Sequence, residues 1–205
     1  MKWYEYQTEA MMKSGRHHPI FNEAIRYIHD NVKGKKVLDV GCNAGLLSLT
    51  AARYGASEVL GLDIKGEAIA RAIEIHNYWK DKDFVSSEAD LEFQTGNIAE
   101  CLSLIKNYDF FIFSRVLHHI RIGNEKLEDL YRYGITGIFN ELAYVAKTKP
   151  ITLLIQGNLG RESLINPDWG FYGNNLCNAD GINRLLDAYK FKYININKEL
   201  VIGTN

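Results

Sequence analysis

Cysteine is scarce in this chain: Cys42, Cys101 and Cys177 form neither an even set nor a C-x-x-C pair. A disulfide framework and a structural metal are therefore not expected, and the three thiols read as packing residues of a protein in a reducing compartment. Long apolar runs are missing too. Nothing approaches the roughly 18 consecutive apolar residues of a spanning helix, and the start Met1-Lys2-Trp3-Tyr4-Glu5-Tyr6-Gln7 carries no apolar signal segment, so a soluble, cytoplasmic protein without a membrane partner is expected. Excess charge of either sign is lacking: 24 Lys+Arg stand against 25 Asp+Glu, net −1. Such a chain has no general field to attract a phosphate backbone, and nucleic-acid binding gets no support from it. The first 36 residues do lean positive, with seven Lys/Arg against four Asp/Glu, which reads as a solvated face. Repeats are absent as well. What is present is 46% hydrophobic residues in 205, enough for one domain with a sizeable core.

Apolar residues at helical spacing, Phe21, Ala24, Ile25 and Ile28, predict a helix ending near Lys33-Gly34. The β-branched run Val37-Leu38-Asp39-Val40 then predicts a strand, followed by the tight turn Gly41-Cys42-Asn43-Ala44-Gly45 and a helix over 46–54. The pattern repeats: strand 59–63, then a helix on which Ile69, Ala72, Ile73 and His76 keep the spacing. A weaker strand over 91–95, a short helix over 98–105 and the apolar strand 108–113, buried on both faces, continue it. Helical spacing returns at Leu127, Leu130 and Tyr131 and at Ile135, Ile138, Phe139 and Leu142, before Pro150 and a strand over 151–156. Residues 157–177, with Pro167, Trp169 and Tyr172, have no period and read as a long loop on the substrate side. A last helix through Ile182, Leu185, Leu186 and Tyr189 and a hairpin of strands 193–196 and 200–202 close the chain. Alternating strands and helices predict a Rossmann-like, doubly wound α/β fold: a mostly parallel sheet of about seven strands with an antiparallel last hairpin. The domain reading is 1–205 as a single unit, with 1–20 an N-terminal extension.

In such a sheet, ligands sit beyond the carboxyl ends of the strands. Gly41 and Gly45 free the backbone to turn sharply and to approach a ligand, and Asn43 is one of the few other residues that tolerate a left-handed conformation. Asp63 falls at the tip of the second strand, 22 residues after Gly41, where a carboxylate can accept both hydroxyl hydrogens of a ribose. A role for Asp63 in entering the next helix stands beside that reading. The dinucleotide fingerprint G-x-G-x-x-G fails at Asn43 and Leu46, and no Gly-Lys-Ser/Thr follows the first strand. What remains is D-x-G-x-x-x-G, from Asp39 to Gly45.

On Val37 to Gly45, on Gly61-Leu62-Asp63 and on Phe113-Ser114-Arg115-Val116-Leu117-His118-His119-Ile120, the chain resembles the class I S-adenosylmethionine-dependent methyltransferases. Within that family the look is that of bacterial O-methyltransferases of sugars and secondary metabolites. The resemblance implies that the loop Gly41 to Gly45, with Asp39 and Asn43, holds the methionine part of S-adenosyl-L-methionine. It puts Asp63 on the ribose, Ile64 on the adenine and Asn97 near the adenine amino group, with Ser114 completing the set. The family's D/N-P-P-Y/F motif for amide or exocyclic base nitrogens is absent where Ser114-Arg115-Val116 stands, which disfavours DNA base and glutamine methylation. His119 and His118 are candidate bases for an acceptor hydroxyl; the alternative is that one packs and the other makes a polar contact. His17 and His18 give no metal site, because adjacent histidines on a helix do not aim at one point. Arg115, Arg161, Trp169 and Tyr172 could grip an anionic or ring-shaped acceptor or simply hold a loop down. Methylation of a small-molecule or sugar/glycan acceptor is the leading expectation; a tRNA wobble-uridine modifying enzyme and a non-catalytic S-adenosylmethionine-binding module are the rivals.

Overall fold

The computed structural model describes residues 19–80, 89–120, 134–157 and 178–205. The chain divides into two compact units, Met1–Asn97 and Ile98–Asn205. Seven strands form a mixed sheet, three contributed by the first unit in the order β3-β2-β1 and four by the second in the order β4-β5-β7-β6. This is the expected Rossmann-like class. Among the described residues no helix is long and apolar enough to cross a membrane.

In the first unit, α1 (Asn22–Asn31) turns Ala24, Ile25 and Ile28 inward, as its spacing requires. Strand β1 (Lys36–Val40) is buried after its first residue, α2 (Leu46–Arg53) is buried over its first seven residues, and β2 (Glu58–Asp63) is nearly all buried. Strands β1 and β2 pair in parallel, with Asp39 opposite Gly61. Helix α3 (Gly66–Lys80) follows, then β3 (Asp90–Thr95), parallel to β2 with Phe93 opposite Gly61. The buried face of α3 is Ala68, Ile69, Ala72, Ile75 and Trp79. Ile73, which keeps the spacing with Ile69, is 43% exposed, and the buried stripe runs through Ala72, Ile75 and Trp79 instead.

The second unit opens with two 3₁₀ turns, Ile98–Glu100 and Leu102–Asn107, where one short helix was expected. Each closes on i to i+3 bonds, Cys101 N–H to Ile98 O and Leu104 N–H to Cys101 O. Strand β4 (Phe110–Ser114) is apolar on both faces, as its unbroken hydrophobic run demands. A short turn, Leu117–His119, follows it. Helix α4 (Ile135–Val145) stacks Phe139 on Phe113, centroids 6.2 Å apart. Strand β5 (Thr152–Gln156) runs parallel to β4, and α5 (Ala179–Ala188) starts on an Asn178 side chain that accepts the Gly181 N–H. Strands β6 (Lys192–Asn195) and β7 (Leu200–Thr204) form the antiparallel hairpin, β7 pairing β5 as well. The helical spacing at Leu127 to Tyr131, nearly all of the 157–177 loop and nearly all of the 1–20 extension lie outside the described residues.

Candidate functional site

The turn after β1 is left-handed at every second residue: Gly41 at φ 74°, Asn43 at 51° and Gly45 at 81°. Asparagine is among the few side chains that adopt this region at small cost, so Asn43 keeps the loop geometry where a glycine would otherwise serve. Gly41 and Cys42 N–H both donate to Leu62 O, which fastens the loop to the end of β2. Cys42 is a buried filler whose thiol is pushed well up by burial, the neighbouring carboxylates adding to it.

Asp63 ends β2 with its carboxylate tied at both oxygens: Oδ2 accepts the Asn43 N–H and Oδ1 the Lys65 N–H, each at 2.9 Å. The Lys65 bond, two residues ahead, is an Asx turn leading into α3, so the helix-entry role is real. It does not use the group up. Each carboxylate oxygen has a further lone-pair direction, enough for the two hydroxyls of a ribose. Ile64 stands next to it, 68% exposed, an apolar surface suited to a purine. Gly96 N–H donates to Asp63 O and so holds the segment that carries half-buried Asn97. Asp39, Gly41, Asn43, Gly45, Asp63, Ile64 and Asn97 thus belong to one unit, and their donor set fits an adenosyl nucleoside.

Asp39 is 2% exposed and accepts the Ser48 hydroxyl at 2.6 Å. Burial pushes its carboxyl up to about 7; the Ser48 hydrogen bonds oppose the rise and the Asp63 charge adds to it. Because the folded value lies above the unfolded one, the folded chain holds a proton between about pH 4 and 7 that the unfolded chain releases. Stability therefore falls as pH rises through this window and levels off above it. Asp39→Asn keeps an acceptor for Ser48 and removes the effect. Denaturant unfolding of the cofactor-free proteins should show the variant gaining on wild type by up to about 4 kcal/mol from pH 4 to 8; a difference that does not change with pH would refute the assignment.

In the second unit, Ser114 Oγ donates to Gln156 Oε1 at 2.8 Å, joining the carboxyl ends of β4 and β5. Arg115 is left-handed at φ 57°, donates its N–H to Gln156 O, and places its guanidinium 3.9 Å from the Glu199 carboxylate. Its charge is thus balanced within the chain. His119 is exposed in the turn after β4, its N–H on Val116 O. The backbone of His118 shares that turn; its side chain, like His17, His18, Arg161, Trp169 and Tyr172, lies outside what the structure describes. Sequence reasoning missed Gln156, Glu199 and Phe93. Gln156 did leave a signal, a polar residue closing an apolar strand. Among the described residues no group of three or more His, Cys, Asp or Glu is placed to hold a metal ion.

A family model described as a methyltransferase domain matches residues 31–149. The ribosomal protein L11 methyltransferase of Cupriavidus pinatubonensis is 38% identical over 53 residues, 25% of this chain and 18% of that enzyme. The chain therefore spans less than a fifth of that relative's length. Among solved structures, magnesium protoporphyrin IX methyltransferase from Synechocystis with bound SAH has a TM-score of 0.53 at 14% identity, over 99% of this chain and 94% of that one. The bifunctional kinase-methyltransferase WbdD has a TM-score of 0.58 at 20% identity, over 95% of this chain and 41% of that one. At these identities the structures speak for the fold, and the family model covers more than half of the chain. The chain belongs to the methyltransferase domain family.

Proposed function

We propose that this chain, as one cytoplasmic methyltransferase domain, methylates a hydroxyl oxygen of a small-molecule acceptor, a sugar or glycan. The observation that carries the choice of oxygen is an exposed histidine, His119, in the turn directly after β4, where the sequence has Ser114-Arg115-Val116 in place of a motif for amide nitrogens. In this reading Gly41 to Gly45 with Asp39 take the methionine part, Asp63 the ribose, and Ile64 and Asn97 the adenine. The cofactor supplies a methyl group already activated on a sulfonium. The protein's share is alignment and exclusion of water, which can supply up to roughly 7–11 kcal/mol. His119 takes the hydroxyl proton as the acceptor oxygen reacts, with His118 as the other candidate.

A protein acceptor is the second reading, favoured by the short match to the ribosomal protein L11 enzymes. Incubating the enzyme with S-adenosylmethionine and, separately, sugar and glycan fractions, tRNA and ribosomal protein decides among them. Formation of S-adenosylhomocysteine with the sugar or glycan fraction is the expected result. Turnover with tRNA or protein alone would replace the proposal, and binding without turnover on any fraction would leave a cofactor-binding module.

A further inference from the structure

Gly61 sits in the middle of β2 with no left-handed backbone to explain it, since it is not among the residues at positive φ. Space explains it. A Cβ placed there would lie 2.5 Å from Phe93 Cδ1, 2.7 Å from Phe93 Cε1 and 2.9 Å from Ser48 Oγ. A Cβ at Gly45 would meet the same ring, at 2.7 Å from Cζ and 2.8 Å from Cε1. The Phe93 ring, on the strand beside β2, therefore fills the gap left by two glycines at once. One of them ends the cofactor loop and opens α2, and the other lies beneath the hydroxyl that holds Asp39. On the far side the ring meets His76 of α3 edge-on, centroids 6.2 Å apart.

We infer that Phe93 is a positioning residue for the cofactor: its ring, seated in the gap over Gly61 and against Gly45, sets the height of the loop 41–45 and the Ser48–Asp39 bond beneath it. The inference rests on that loop being the cofactor site. The crowding makes the device steep, because a Cβ added at Gly61 or at Gly45 lies within 3 Å of the ring and must displace it. A hydrogen bond moved off line weakens sharply, so a loop displaced by the ring loses ligand before the fold is lost.

Calorimetric titration with S-adenosylhomocysteine, on variants whose fold is checked by circular dichroism, tests this. Gly61→Ala should weaken binding about tenfold or more in wild type and by a clearly smaller factor in a Phe93→Ala background, where only the Ser48 hydroxyl, 2.9 Å from the added carbon, still has to move, the non-additivity expected of groups in contact. Phe93→Ala alone should weaken it about tenfold, with Phe93→Leu recovering most of the loss. If Gly61→Ala costs the same factor in both backgrounds, or leaves the affinity within about twofold of wild type, the inference is wrong. Should Gly61→Ala not fold, the Phe93 pair decides: unchanged affinity in Phe93→Ala overturns the inference. Asp63→Ala in the same series separates the two levels, because normal binding there removes the site itself, whereas lost binding there with normal binding in the Phe93 and Gly61 variants removes only the role of the ring.

Discussion

His119→Gln should bind S-adenosylhomocysteine as wild type does and turn over about 10²–10⁴-fold more slowly, the usual contribution of a positioned general base. Strand β4 is apolar and buried through Phe113 and ends on half-buried Ser114, and the turn Leu117–His119 follows, where His119 is exposed. Ligands of open α/β sheets lie beyond such strand ends, and an imidazole there can accept a hydroxyl proton near neutral pH. Wild-type turnover should accordingly fall on acidification, and the amide of the variant, which does not titrate in this range, should lose that limb. Near-normal turnover with the same acid limb would reject His119 as the base, and His118→Gln would then show whether the other histidine carries the proton.

How much of this was legible in the sequence depended on the range of the interaction. Strand β1 announced itself through a short run rich in β-branched residues and β4 through an apolar aromatic run, and the turn between β1 and α2 through Gly41 and Gly45, because those signals are local. Asp63 was found by its place at a strand tip. Its Asn43 donor was not, since that bond spans twenty residues and depends on β1 lying beside β2. Phe93 was invisible for the same reason: in sequence it is one aromatic residue in a weak strand, and only the β2 to β3 register sets it opposite Gly61. Gln156 and Glu199 both meet Arg115, the first through its backbone oxygen and the second through its carboxylate, and the β5 to β7 register places Gln156 opposite Leu200, next to Glu199. The helix expected over 98–105 is two 3₁₀ turns in the structure.

The second large effect belongs to Asp63→Ala. Each charge-assisted bond from a ribose hydroxyl is worth roughly 1.5–3 kcal/mol, so losing two should lower S-adenosylhomocysteine affinity by at least about 10²-fold. The loss also frees the Asn43 and Lys65 N–H groups that the carboxylate now holds, which loosens the loop and adds to the effect. Asp63→Asn should fall between, because its amide oxygen can keep one of those donors while its NH₂ faces the other. Calorimetry on folded variants reads both, and equal affinities for wild type and Asp63→Ala would take the ribose away from this residue.

The most direct measurement is a crystal structure of the chain with S-adenosylhomocysteine bound. Both ribose hydroxyls should lie within hydrogen-bond distance of the Asp63 carboxylate, with the adenine against Ile64 and the homocysteine part along Gly41 to Gly45. A nucleoside bound anywhere else, with Asp63 still engaged only by Asn43 and Lys65, would contradict the account at its centre.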